Sequence, residues 1–116
     1  MTIALYHNPR CSKSRETLNL LTEKGIQPNI ILYLDHSFSL AELQALFQKL
    51  ALTSPREMMR KKDDLYRTLQ LDNPELTNDD LFQAIMAHSA LLERPIVVNG
   101  NKAKIGRPPE SVLSIL

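Results

Sequence analysis

Cys11 is the only cysteine among 116 residues, and its surroundings, His7-Asn8-Pro9-Arg10-Cys11-Ser12-Lys13-Ser14-Arg15, are polar and basic. An isolated cysteine is commonly a small buried hydrophobe. In polar, basic company it is instead a candidate nucleophile, because the attacking species is the thiolate and free cysteine, with a pKa of about 8.5, needs help to ionise near neutral pH. Arg10, Lys13 and Arg15 supply local positive charge, which stabilises a thiolate and attracts an anionic substrate. His7 lies four residues earlier and can tune the thiol. An imidazolium would donate to the thiolate and lower its pKa, a neutral imidazole would accept its proton, and a purely structural His7 would tie down the loop backbone. Ser14 stands where a Cys-x-x-Cys pair would have its second cysteine; a hydroxyl can donate to a thiolate but cannot resolve a disulfide. With one cysteine there is no internal disulfide, so any oxidised form must pair with another molecule.

The elements that must position this thiol alternate along the chain. Ile3-Ala4-Leu5-Tyr6 reads as a strand that gives way to a helix beginning near Ser12, so Cys11 sits where orphan N–H groups and the helix dipole favour a negative charge. Leu18, Leu20 and Leu21 mark the apolar face of that helix, and Gly25 is a suitable left-handed stop. Ile30-Ile31-Leu32-Tyr33-Leu34 reads as a short buried strand. Ser39 with Glu42 forms a capping box ahead of Leu40, Leu43, Leu46, Phe47 and Leu50 at helical spacing. Ser54-Pro55 opens a short helix, Asp63 to Leu69 a further piece, and Thr77 caps a helix carrying Leu81, Ile85 and Met86. Pro95-Ile96-Val97-Val98 and Lys102-Ala103-Lys104-Ile105 flank Asn99-Gly100-Asn101 as a hairpin, and a short helix follows from about Pro109.

Strand, helix, strand, then hairpin and helix is the thioredoxin-like plan. The fold class expected is therefore α/β, a mixed four-stranded sheet with parallel first strands and an antiparallel hairpin. Residues 1–116 are expected to make a single domain, with a helical lobe inserted at about 39–88 between the second and third strands. Pro95, at the start of the third strand, matches the cis-proline that thioredoxin-like proteins keep opposite the reactive cysteine; a trans-proline at a strand start is the plainer alternative.

Composition excludes some partners. Fourteen Lys and Arg against thirteen Asp and Glu leave a net charge of +1, so there is no bulk electrostatic case for nucleic acid or an anionic membrane. No apolar run approaches the ~20 residues of a membrane span, and the N-terminus lacks the form of a signal peptide, so a cytoplasmic location is expected. His36 and His88 are isolated from other ligand types, so no metal is expected, and a monomer is the expected state for a domain of this size.

Several segments carry a family resemblance. His7-Asn8-Pro9-x-Cys11-x-x-Ser14-Arg15-x-Thr17, Met58-Met59-Arg60-Lys61, Arg94-Pro95-Ile96-Val97-Val98 and Gly106-Arg107-Pro108 resemble, in register from Tyr6 almost to the C-terminus, the arsenate reductases that use glutathione and glutaredoxin. The resemblance implies that Cys11 is catalytic, that Arg15 lies near it and helps to depress its pKa, and that Arg60, Arg94 and Arg107 bind the oxyanion. It also implies arsenate as substrate, glutathione as co-substrate rather than a bound cofactor, and glutaredoxin as partner. Other readings stay open: a non-catalytic redox-responsive regulator of the same fold, of the kind that contacts RNA polymerase, or a thiol reductase with another substrate. A phosphatase-like reductase would place an arginine six positions after the cysteine, where this chain has Thr17.

Overall fold

The computed structural model describes residues 2–116. Its elements divide into two compact units, one running through His36 and resuming at Arg94–Leu116, the other comprising Ser37–Glu93. The second unit thus begins slightly before and ends slightly after the helical insertion read from sequence.

The first unit holds the sheet. Strands β1 (Ile3–His7), β2 (Asn29–Leu32), β3 (Ile96–Asn99) and β4 (Lys102–Ile105) lie in the order β2-β1-β3-β4. β1 runs parallel to β2, with Leu5 opposite Ile30, and antiparallel to β3, with Leu5 opposite Val97. The parallel pairing follows from the helix that crosses between the strands, α1 (Ser12–Glu23), since a hairpin cannot return a strand in the same direction. α1 stops at Gly25, which takes φ +76° while Ile26 N–H bonds the Leu21 carbonyl at 2.9 Å, a Schellman-type ending. Asn99 pairs with Lys102, so the two residues at the hairpin tip are Gly100 and Asn101; Gly100, at φ +63°, occupies the first central position, where a II′-type turn takes glycine.

One face of the sheet carries a core in which Leu5, Leu21, Val97 and Val112 are fully buried, with Ile3, Leu18, Leu20, Ile26 and Ile115 around them. Val112 and Ile115 come from the C-terminal segment Pro109–Ile115, which is wound as a 3-10 helix. The second strand differs from the sequence reading. It is shorter, Tyr33–Asp35 forming a 3-10 turn, and it lies at the sheet edge, where Ile30 and Leu32 are 44% and 47% exposed. A β-branched run announces a strand but not whether both of its faces are covered.

The second unit contains α2 (Leu40–Leu50), α3 (Asp64–Thr68) and α4 (Asn78–Ala87) with 3-10 turns at Pro55–Met58 and Ser89–Leu91. Its caps follow the side-chain chemistry. Ser39 Oγ accepts from Glu42 N–H at 3.1 Å, and Ser54 with Glu57 and Thr77 with Asp80 make complete capping boxes. Leu43, Leu46, Leu81, Phe82 and Ile85 are buried, and Phe47 meets Phe82 edge to face with ring centroids 5.7 Å apart. Met86 is exposed rather than part of this packing. Among the described residues no helix is long and apolar enough to cross a membrane.

Leu5 is fully buried at the centre of the sheet and of the first unit's core. Leu5→Ala is expected to lower unfolding free energy by roughly 2–5 kcal/mol, read as a fall in the urea midpoint with little change in slope.

Candidate active site

The end of β1 and the start of α1 place Cys11. A turn closes between them, with Cys11 N–H on the Asn8 carbonyl at 3.0 Å and Arg10 N–H on Asn8 Oδ1 at 3.0 Å. Cys11 is the residue that caps α1, in extended conformation at φ −93°, ψ 126°, and its carbonyl receives Arg15 N–H at 3.0 Å. The sulfur is partly buried. It makes no cap hydrogen bond of good geometry, yet the N–H groups of Ser14 and Lys13 lie where they stabilise its charged form. Burial pushes the thiol pKa up; hydrogen bonding from the Ser14 and Lys13 backbone, together with hydrogen bonding and charge from Arg94, outweighs it, so Cys11 titrates below its ordinary value.

Two guanidiniums reach this sulfur. Arg107 Nη2 stands 3.6 Å from Cys11 Sγ, and its Nε donates to the Arg94 carbonyl at 2.8 Å. Arg94 acts on the sulfur with its side chain, while its buried Nε has no hydrogen-bond partner among the described residues. Both arginines precede prolines, and the Arg94–Pro95 peptide is cis, as expected from the fold plan; Arg107–Pro108 is cis as well, which the sequence reading did not anticipate.

Gly106 sets the spacing between these segments. Its N–H bonds the Pro95 carbonyl at 2.9 Å, and a Cβ there would lie 2.6 Å from Thr17 Oγ1 and 2.8 Å from Pro95 Cγ. Neither neighbour yields easily, because Thr17 is fully buried with its hydroxyl on the Lys13 carbonyl at 2.9 Å and the proline is a rigid ring. The residue at 106 must therefore be glycine for the arm bearing Arg107 to pack against α1. The Gly-Arg-Pro segment carried this signal, but glycine's role there depends on neighbours distant in sequence.

Of His7, Ser14 and Arg15, expected to tune the thiolate, Ser14 bears on the sulfur through its backbone N–H, while His7 and Arg15 make other contacts. His7 is buried and its Nδ1 lies 2.5 Å from Ser14 Oγ, which also accepts Asn8 N–H at 3.0 Å. Burial first, then the positive charge of Arg15, lowers the His7 pKa, which favours the neutral ring over the imidazolium considered as a donor to the thiolate. The hydroxyl of Ser14 is committed to His7 and Asn8, and the residue serves the sulfur through its backbone N–H instead. Arg15 donates to the Pro9 carbonyl at 3.0 Å and bears on His7; the arginine that lowers the Cys11 pKa is Arg94. Lys13, read as a nearby positive charge, pairs with Glu16 at 3.6 Å.

Arg60 belongs to the second unit. Its N–H bonds the Leu91 carbonyl at 2.8 Å and its guanidinium pairs with Asp63 at 3.1 Å. The bridge from Met59 to Leu92 and the bond from Glu93 N–H to the Met58 carbonyl, 2.8 Å, hold the same stretch. Among the described residues no group of three or more His, Cys, Asp or Glu gathers as a metal would require.

The motifs at Cys11, Arg94 and Arg107 therefore meet at one sulfur. The model of the ArsC family matches residues 6–115. The chain belongs to the ArsC family. A curated ArsC relative from Haemophilus influenzae, named arsenate reductase, is 61% identical over 116 residues, the whole of both chains. Another of that name, from Neisseria meningitidis, is 55% identical over 114 residues, covering 98% of this chain and 97% of its own. A solved structure described as arsenate reductase from Vibrio cholerae superposes with a TM-score of 0.98 at 52% identity, covering all of this chain and 98% of that one. The α/β fold with its mixed four-stranded sheet is thus that of ArsC proteins.

Two outcomes are expected from this geometry. Gly106→Ala should destabilise the fold by about 1–3 kcal/mol through overpacking, measured by urea unfolding. The rate of Cys11 alkylation against pH should have its midpoint below that of a free thiol, and Arg94→Ala should move that midpoint upward by removing a cation that favours the thiolate.

Proposed function

We propose that this protein reduces arsenate to arsenite, with Cys11 as the attacking sulfur. The observation that carries the reading is the convergence of Arg94 and Arg107 on a thiol of lowered pKa. Planar guanidiniums suit the oxygens of a tetrahedral oxyanion. The names of the relatives from H. influenzae and N. meningitidis support arsenate as that oxyanion.

In this scheme the Cys11 thiolate attacks arsenic and water leaves, giving a thiol–arsenate adduct. Glutathione then attacks the adduct. The two sulfurs supply two electrons, pentavalent arsenic becomes trivalent, arsenite departs, and Cys11 remains in a mixed disulfide with glutathione. Glutaredoxin removes the glutathionyl group by exchange. A chain with one cysteine suits this route, since Ser14 stands where a resolving cysteine would be. The scheme uses glutathione as co-substrate without a bound cofactor, and it belongs in the cytoplasm, where thiols are kept reduced. Arg60 enters as a third oxyanion ligand through the family resemblance alone, and engaging substrate would require it to share or leave Asp63.

The test is arsenate-dependent NADPH oxidation with glutathione, glutaredoxin and glutathione reductase supplied. Cys11→Ser is expected to abolish turnover while remaining folded, and Arg94→Ala or Arg107→Ala to lower kcat/KM roughly ten- to a hundredfold, the scale of losing a charged hydrogen bond. Arsenate-dependent turnover retained in Cys11→Ser would overturn the proposal.

A further inference from the structure

The first unit contains a cleft of about 350 Å³ beside the Cys11 turn, lined by His7, Asn8, Pro9, Arg10, Leu32, Leu34 and Asp35. Its volume falls in the range of small-molecule sites, roughly 300–1,000 Å³. The lining joins two apolar side chains, Leu32 and Leu34, each 47% exposed, to one cation and one anion. Among the described residues neither charged head has a partner: Arg10 bonds there only through its backbone N–H, and no hydrogen bond or ion pair engages the Asp35 carboxylate. Some charged groups elsewhere on the chain are paired, as Lys13 with Glu16 and Arg60 with Asp63.

We propose that this cleft is the docking site of the external thiol, and that it selects a short zwitterionic peptide thiol of the glutathione type. Arg10 takes a carboxylate of the peptide, Asp35 takes its ammonium group, and the leucines cover its methylene chain. This deepens the function proposed above and rests on its premise that an external thiol attacks at Cys11, the one cysteine being unable to resolve itself. The distances suit. The bond from Cys11 N–H to the Asn8 carbonyl closes a four-residue turn, which holds the Cα atoms of its ends within roughly 7 Å. An extended tripeptide spans about 10 Å, so a peptide anchored in the cleft reaches the sulfur. A simple attraction of anions to this basic loop would not use Asp35, and that difference separates specific docking from electrostatic steering.

The test needs no arsenate. Cys11 of the full chain is converted to its mixed disulfide with thionitrobenzoate, and an added thiolate attacks Cys11 Sγ. The new S–S bond forms as the bond to the aryl sulfur breaks, the electron pair leaves on the coloured thionitrobenzoate anion, and the proton of the attacking thiol goes to solvent; mass spectrometry identifies the protein product. Glutathione is compared with mercaptopropionate, an anionic thiol that lacks the ammonium group. Asp35→Asn is expected to slow glutathione about fivefold, the order of one exposed charge contact, while leaving mercaptopropionate unchanged or faster. Arg10→Ala is expected to slow glutathione by a similar factor, with circular dichroism unchanged in both variants. Steering alone predicts the opposite sign for Asp35→Asn, because it removes a negative charge. A glutathione rate that is unchanged or raised in Asp35→Asn, or an equal fall for both thiols, overturns the docking site. Loss of arsenate turnover in the native protein alongside the expected exchange rates would instead sink the function proposed above and leave the cleft standing.

Discussion

A partly buried thiol that must be able to ionise is the constraint on which the first unit of this protein depends. Burial alone would favour the neutral thiol. The opposing contributions come from two stretches of chain, the first turn of α1, whose Ser14 and Lys13 N–H groups lack intrahelical partners, and the segment before β3, which brings Arg94; the segment after β4 adds the contact of Arg107 with the sulfur. The central position of β1 between β2 and β3 in the sheet is what delivers the turn bearing Cys11 to the same neighbourhood as the ends of the hairpin.

Burial is the larger cause of the lowered His7 pKa, and positive charge adds to it. Positive charge favours a thiolate and disfavours an imidazolium, so Arg94 on Cys11 and Arg15 on His7 act in one direction on two different groups. The resting arrangement is accordingly a thiol that ionises readily beside a neutral imidazole. The imidazole and Ser14 hydroxyl are then free to hold the loop, with Asn8 N–H as the third member of the cluster. Ser14 therefore links the end of β1 to the helix turn that faces the sulfur.

The second unit is organised by its own local chemistry. Two complete capping boxes start its 3-10 and α segments, and Arg56 fastens the α3–α4 connection by donating to the Leu71 and Asn73 carbonyls at 2.8 and 2.7 Å. Arg60 is held in a stretch bound on both sides by backbone bonds to Leu91 and Glu93.

Local physics was legible in the sequence because it acts over a few residues. The hydrophobic periodicity of β1 and α1, the left-handed stop at Gly25, the caps at Ser54 and Thr77, the hairpin near Gly100 and the cysteine at a helix start all follow from neighbours along the chain. The motifs around Cys11, Arg94 and Arg107 likewise pointed to one family. What the chain could not declare in one dimension was which group touches which. That Arg94 rather than Arg15 lowers the Cys11 pKa, that Ser14 serves through its amide while its hydroxyl goes to His7, that β2 lies on an edge, and that Gly106 must pass Thr17 and Pro95 are settled by approaches between segments as far as 96 residues apart. Such approaches depend on the strand order and on the packing it permits, and those are properties of the whole sheet, not of any stretch of residues.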